Sequence, residues 1–543
     1  MLFLLWILLV LPFSAWVVRK LSQVVRHPIF TRKNLTNNRP IVLDRRKRNE
    51  ILANSFSPQK VEGQQFDAII IGSGPSGMST GSYLAKGGKK VLVLEQHDTA
   101  GGSCHTFLDK GYEFDAGHHY SPYMDPKIPT SVFIHAAVGG NIDFIQLMGY
   151  RKENQITTSE AFKSITERSP DMSVVLQFLT TDLTPGNLWS YPLWAFATAI
   201  MKGGSAYPKG GSSEYPFQMG CEIVERGGTV LVNANVEKII MNSSNTKACG
   251  VIVKKGNKRT SIFAPIIVSS AGLAVTINDL LPSNIPKNSP WFEEMNKHLK
   301  FPGHSYFHAF VGLRGTVEEL GLITHPLRSF ATNEPMMERC EEMSFEEAME
   351  AEIPMMMFLG CSGADPTSSL RNPGKCVVQL LMCASSKWFS QWEGGKPMHR
   401  DDEYEARKNA YGHKAIETMY RLYPQLEGRI DYLSFATEVT VHHYLNRKSG
   451  GYSKLALTPY KMSLEASLNL RPDTPIEGLF LTGEDTFIVA VITAILSGTI
   501  TASRILNRNL ILEGLVWHFY DKLRRRIFGD YSSQLPNKGE PHS

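Results

Sequence analysis

Three glycines and one acid in the first quarter of the chain are spaced to hold a nucleotide. Gly72, Gly74 and Gly77 follow the apolar run Ala68–Ile71 in G-x-G-x-x-G spacing, and Glu95 closes a second apolar run, Val91–Leu94. The first glycine permits a tight turn. The second lets backbone approach a pyrophosphate, and the third lets a helix pack close to the strand. A helix starting there turns unpaired N–H groups and a partial positive charge toward phosphate. Glu95 stands about 20 residues past the glycines, where a carboxylate reads ribose hydroxyls. The glycines alone are a weak signal. With two strands, a helix and the acid in order, they read as a dinucleotide-binding βαβ unit. Ala68–Ile71 is continuous and β-branched, as a strand buried on both faces must be.

A second glycine pair, Gly101-Gly102, follows in Ala100–Phe107 (AGGSCHTF) and extends the backbone cradle, which favours FAD as the longer cofactor. An ordinary loop would carry the same pair. Far along the chain, Gly478–Asp485 (GLFLTGED) reads as a strand ending in Gly483 and an acid, with a small-residue helix over Thr486–Leu506. This strand is expected to return beside the first. Asp485 would then hold the ribityl or pyrophosphate region, and the helix dipole would face the flavin pyrimidine edge. The plainer reading, Asp485 as a helix cap, is compatible with that role.

GSGPSG, VLVLEQHDTAGGSCHTF and FDAGHHY resemble the flavoprotein group of carotenoid desaturases and isomerases. YPKGGSSE (Tyr207–Glu214), ERGGTVLVNANVEKI, ACGVIVKKG and IIVSSAGL narrow the resemblance to the retinol saturase branch. The motifs run in the family's order from about Ile51 to Leu510. The resemblance implies an α/β fold: a FAD-binding Rossmann-like domain of the GR2 type, with an inserted α+β substrate domain. It also implies a place on the endoplasmic reticulum membrane. The expected cofactor residues are Gly72, Ser73, Gly74, Gly77, Glu95, Gln96, Gly101, Gly102, Cys104, His105, Val236, Ala271, Gly272, Gly483 and Asp485. Val236 would touch adenine through its backbone, and Ala271-Gly272 would turn near the pyrophosphate. Between GHHY and YPKGG the chain is shorter than the family pattern, which breaks near Gly149–Lys152.

The expected organisation follows. Residues 1–18 form a hydrophobic anchor or signal and 19–63 a basic linker. Residues 64–123, 207–282 and 438–510 build the FAD domain. Residues 124–206 and 283–437 build the substrate domain, and 511–543 are a basic tail. Strands are expected at Val230–Asn233, Ile266–Ser269, Phe307–Leu313, Met355–Leu359 and Val377–Met382, with a hairpin of Cys249–Lys254 and Ser261–Ala264.

Retinoids and carotenoids are long apolar polyenes, so their site should be an apolar tunnel beside the flavin. Met355–Leu359 (MMMFL) and Trp189–Phe196 could line it or be plain core. Reducing a C=C bond takes a hydride from the flavin and a proton from the protein. Tyr207, Glu214, His118, His119, His442, His443 and Tyr452 are candidate donors, and spacing does not choose among them. Lys209-Gly210-Gly211 would let backbone pass close to the flavin ring. No second complete βαβ nucleotide signature is present, so NADPH or NADH would dock at the flavin itself, or a partner protein would reduce it. The same scaffold serves a desaturase, a cis–trans isomerase or, without flavin, a lipid-escort protein like the Rab GDP-dissociation inhibitors.

The 543 residues carry 57 basic and 52 acidic side chains, a net charge of +5 that gives no reason to invoke nucleic acid. The basic residues crowd two places: Arg19–Arg48, and LRRRIF at Leu523–Phe528. Either would suit anionic lipid headgroups or a solvated face. Met1–Val18 is uncharged and near the lower limit for spanning a bilayer; it lacks a basic start and a good cleavage site, which favours a retained anchor. The basic run after it places the body in the cytosol, whereas the sequons at Asn34 and Asn242 suit a lumenal one. Seven cysteines without a C-x-x-C indicate neither a disulfide framework nor a zinc site.

Overall fold

The computed structural model describes residues 26–36, 39–122, 129–140, 142–147, 205–285, 289–300, 305–322, 324–329, 339–353, 355–360, 362–395, 399–445, 461, 463–488 and 490–528. The apolar run 1–18, Gly149–Lys152, Trp189–Phe196, Cys361 and Tyr452 lie outside these residues.

Alternation along two short strands builds the nucleotide half. In β1 (Ala68–Ile71), Ala68 and Ile70 enter one apolar cluster while Ile69 and Ile71 enter another. In β2 (Val91–Leu94), Val91 and Val93 divide from Leu92 and Leu94 in the same way. Both faces are covered, which is why neither strand spares a polar residue. With β8 (Thr229–Leu231), β12 (Ile266–Ser269) and β18 (Leu479–Leu481) they form a five-stranded parallel sheet in the order β18-β12-β1-β2-β8. The expectation that the C-terminal strand returns beside the first is corrected by one place. β18 pairs with β12, which in turn pairs with β1.

One face carries the antiparallel sheet of β9 (Asn235–Met241), β10 (Ala248–Lys255) and β11 (Lys258–Phe263), in the order β11-β10-β9. The other carries helices: α2 (Pro75–Lys86), α3 (Pro129–Val138), α4 (Glu214–Glu225) and α6 (Val491–Leu506). α2 and α6 pack backbone to backbone. A Cβ at Gly498 would fall 2.0 Å from Ser79 Oγ and 2.7 Å from the Ser76 carbonyl oxygen. α6 begins at Val491 rather than at the expected Thr486, and its cap is Ala490 at φ 122°, ψ 158°. α7 (Leu510–Phe528) follows α6 directly.

The second half is a five-stranded antiparallel sheet of β13 (Ser305–Arg314), β14 (His325–Ser329), β15 (Met355–Leu359), β16 (Lys375–Ala384) and β17 (Ile430–Ala436), in the order β14-β15-β16-β13-β17. Every residue of β15 is buried, and α5 (Asp402–Leu422) adds Tyr411, Ala415 and Met419 to the same core. The hairpin of β3 (Thr106–Asp109) and β4 (Tyr112–Asp115) joins the halves. The Tyr112 ring lies flat on Gly312, where a Cβ would sit 2.7 Å from it, and Tyr112 donates to Asp431 at 3.0 Å. Tyr432 answers from β17 by donating to Asp109 at 2.7 Å. A small sheet of β5 (Ser121–Pro122), β6 (Phe144–Gln146) and β7 (Ser205–Pro208), in the order β5-β7-β6, delivers Tyr207.

The basic linker is structured where it is described, contrary to expectation. α1 (Arg45–Leu52) buries Leu52 in the helical core. Arg39 pairs with Glu222 and Glu225, Arg45 with Glu113, and Arg48 with Glu214. These guanidinium groups tie the segment to α4 and the β4 edge rather than offering themselves to lipid. Asn34 spends its amide on the carbonyl oxygens of Pro28 (3.2 Å) and Ile29 (2.8 Å). Among the described residues, no helix is long and apolar enough to cross a membrane.

Gly498→Ala tests the α2–α6 contact. Because the clash is partly with backbone, the variant should lose about 1–3 kcal/mol, read as a lower midpoint of thermal unfolding. A variant that melts with the parent protein would refute the close packing.

Candidate functional site

Three turns meet at the carboxyl ends of the parallel strands. Gly72 leaves β1 at φ 94°, and Gly74 and Pro75 open α2. A Cβ at Gly77 would stand 2.2 Å from the Gly72 carbonyl oxygen, so only glycine closes this turn. Ser270 lies over it, donating its N–H to Ile71 O at 2.8 Å and sharing a 2.9 Å hydroxyl contact with Ser76. Gly102 approaches Gly74 so closely that a Cβ would be 2.9 Å from its Cα. Residues 72–77, 101–105 and 270–273 thus come together as one cradle.

Glu95 is buried beneath it. Its Oε2 accepts from Ser73 N (2.9 Å) and Ser73 Oγ (2.6 Å), and Oε1 accepts from His97 N (3.1 Å). Ser73 Oγ in turn accepts from Gly101 N at 2.9 Å. The carboxylate therefore locks the two glycine turns together. A carboxylate offers about four acceptor positions, so one stays open to a ribose hydroxyl. Gln96 is half-buried beside His97, and His105 turns its ring onto the Gly102 carbonyl. Cys104 is fully buried, which pushes its thiol well above the ordinary range, so it packs rather than reacts. Val236 is buried in β9 opposite Val253.

Asp485 closes the site. It is 4% exposed, and its Oδ2 accepts from Leu273 N at 2.7 Å just after Gly272, which sits at φ 99°. Its other oxygen, Oδ1, is buried with no hydrogen-bond partner among the described residues. A buried carboxylate oxygen left empty is costly, and a hydroxyl or phosphate partner would satisfy it. Gly483 (φ 125°) brings this turn to within 3.5 Å of Ser76 Oγ, measured from an added Cβ. The cradle, the open helix end and the orphaned oxygen fit a dinucleotide. The cap reading of Asp485 is not what is seen, since its bond goes to residue 273 and α6 starts six residues later.

The candidate proton donors separate sharply. Glu214 is held by Arg48 and by Gln218 Nε2 at 2.9 Å, which makes it structural. His442 faces Glu393 at 3.3 Å, and His443 lies beside Tyr444, both on the helix after β17. Tyr207, His118 and His119 converge instead on the seam between the halves. Tyr207 donates to Asp115, with oxygen distances of 2.9 and 2.8 Å. Gln379 of β16 donates to the Asp115 carbonyl at 2.6 Å. His118 stands edge-on to Tyr215, and His119 lies 4.1 Å from the Phe358 ring centre. Sequence reasoning missed Asp115, Asp365 and Arg371. Asp365, buried, accepts from Gly210 N at 2.9 Å and pairs with Arg371 at 3.0 Å, fixing the Lys209–Gly211 turn. Arg371 also holds Glu113 at 3.1 Å. For Asp115 the signal was present in FDAGHHY; for the other two nothing local marked them.

Residues 70–131 match the NAD(P)-binding Rossmann-like domain family. The Homo sapiens all-trans-retinol 13,14-reductase is 30% identical, over 87% of this chain and 90% of its own. Its Danio rerio counterpart is 29% identical, over 88% and 91%. A second Danio rerio protein, named an inactive all-trans-retinol 13,14-reductase, is 27% identical over 88% and 91%. A chloroplastic prolycopene isomerase of Daucus carota is 24% identical over 81% and 80%. A putrescine oxidase triple mutant superposes with a TM-score of 0.50 at 14% identity, covering 82% of this chain and 99% of its own, which speaks for the fold alone. At 30% identity over 87% of its length to the Homo sapiens reductase, the chain belongs to the all-trans-retinol 13,14-reductase family of oxidoreductases.

Proposed function

We propose that this protein is a membrane-associated, FAD-dependent oxidoreductase that reduces a C=C bond of a retinoid or related polyene, with all-trans-retinol the first substrate to test. The observation that carries the reading is the orphaned Asp485 oxygen over a double glycine turn. The names of the reductase relatives support it. Gly72–Gly77 and the α2 N-terminus would receive the pyrophosphate, Glu95 the adenosine ribose, and Asp485 the ribityl side. When bound, FAD supplies the hydride. The apolar run 1–18 would hold the protein on the endoplasmic reticulum membrane.

The second hydrogen is a proton, and the seam cluster supports a source for it. Burial lowers His118 and His308 to about 4 and His119 to about 3, so all three imidazoles are neutral at pH 7 and have no extra proton to give. Burial pushes Asp115 up to about 7 and Tyr207 well above its ordinary value. With Asp115 protonated, its O–H turns toward Tyr207 and releases the phenol hydrogen to point elsewhere. Tyr207 would then deliver the proton and Asp115 refill it.

The carotenoid isomerase reading is kept by the Daucus carota relative. Isomerisation leaves a reduced flavin unspent, whereas saturation consumes it. Anaerobic protein, chemically reduced and mixed with all-trans-retinol or a carotenoid panel, should lose reduced flavin and polyene absorbance together. No reoxidation with any polyene removes the reductase reading.

Purified protein should be yellow, releasing FAD on denaturation. Glu95→Ala should weaken FAD affinity about tenfold, a loss of about 1.4 kcal/mol; unchanged affinity counts against the ribose role. Asp485→Ala should abolish the rise in melting temperature that added FAD gives the apoprotein. Turnover should fall as pH rises through about 7, because ionised Asp115 can no longer refill Tyr207. Asp115→Asn should flatten that limb, and Tyr207→Phe should slow turnover about 10²-fold with FAD retained. A full-rate Tyr207→Phe enzyme would remove the proposed donor.

A further inference from the structure

α7 carries its apolar face on the wrong side for a soluble helix. Leu510, Gly514 and His518 are buried against the body. Leu512, Val516, Phe519, Tyr520, Leu523 and Ile527 are 56–62% exposed. At about 100° per residue these six fall within an arc of about 100°, on the face opposite the buried one. A stripe of this length on a helix end is far from the single scattered apolar residues of an ordinary surface.

Lys522, Arg524 and Arg526 flank the stripe on its two sides, while Arg525 falls on the opposite side; the nearby carboxylate Asp521 binds Arg524 at 3.1 Å and Arg525 at 2.6 Å. In the earlier segment Arg39, Arg45 and Arg48 are paired with carboxylates of the body.

Residues 27–30 meet the body at the same place. Arg508 donates to the His27 carbonyl at 2.8 Å, and a Cβ at Gly514 would lie 3.0 Å from the Phe30 ring. Ile29 and Phe30 are buried with Leu510 in one cluster. Residues 1–18, uncharged and apolar, therefore precede by few residues the point where the chain meets the root of α7.

We propose that α7 is an in-plane docking helix for an anionic lipid surface. The six-residue stripe would sit at the boundary of headgroups and acyl chains, and Lys522, Arg524 and Arg526 would lie among the phosphates. A second copy paired in parallel along the stripe would bring the cationic ends of two helices together, and crosslinking separates any such pairing from lipid contact. The inference rests on the membrane association proposed above and names the surface responsible for orientation.

The test uses the full chain with p-benzoylphenylalanine in place of Phe519, mixed with vesicles of phosphatidylcholine with or without phosphatidylserine. The same photoprobe replaces exposed Glu318 as control. After vesicle flotation and irradiation, lipid adducts at 519 should exceed those at 318 at least tenfold and increase with phosphatidylserine. Adding Val516→Ser and Leu523→Ser should remove the excess. Protein that floats but shows no excess at 519, or crosslinks there to a second copy, overturns the α7 proposal and leaves membrane association standing. Protein that does not float overturns both. The flavin absorbance of the same sample reports separately on the cofactor reading.

Discussion

Bare backbone against bare backbone is the contact on which the nucleotide end depends. The Gly72 carbonyl oxygen occupies the space where residue 77 would carry a Cβ, and Gly74 fills that of residue 102. Turns from three distant parts of the chain reach one another only because these positions have no side chains. Once they meet, they bury Glu95 below and Asp485 above. Glu95 can be buried because Ser73 and His97 donate to it. Asp485 is buried with one oxygen answered and one not, so the same close packing that forms the cradle also creates the demand for a ligand.

The seam between the halves is held by a different means. Stacked aromatic rings and a glycine, Tyr112 on Gly312, bring the β3–β4 hairpin onto the antiparallel sheet. Asp115 is carried in at the hairpin's end and loses water, which moves its titration toward neutrality. Arg371 is shared between Glu113 and Asp365 rather than spent on Asp115. A cation bonded directly to Asp115 would hold it ionised and take away its capacity to exchange a proton near pH 7.

What the sequence disclosed follows from how far each cause reaches along the chain. β1, β2 and β15 end where their apolar runs end, since burial of both faces writes itself into consecutive residues. The glycine spacing identified the cradle because its steric demand is local. The start of α6 was misplaced: the apolar run of 486–490 continues into that of the helix, yet α6 begins only at Val491, after the turn that holds Asp485. The place of β18, one strand from β1, depends on the crossover and not on its own residues. Asp365 and Arg371 lay unmarked because their partners, Gly210 and Glu113, are 155 and 258 residues away. The arginines of the supposed linker read as free charge for the same reason.

Ala490 gives that late start a mechanical meaning. Its φ of 122° belongs to a region where only glycine is at ease, and holding another residue there costs about 1–3 kcal/mol. The penalty is borne at the hinge between the Asp485 turn and α6, while Gly498 clamps the helix body to α2 and leaves it no room to swing away. Tension at that hinge and the vacant valence on Asp485 lie five residues apart on one short segment. A strained backbone and an acceptor left for a ligand thus share one short segment.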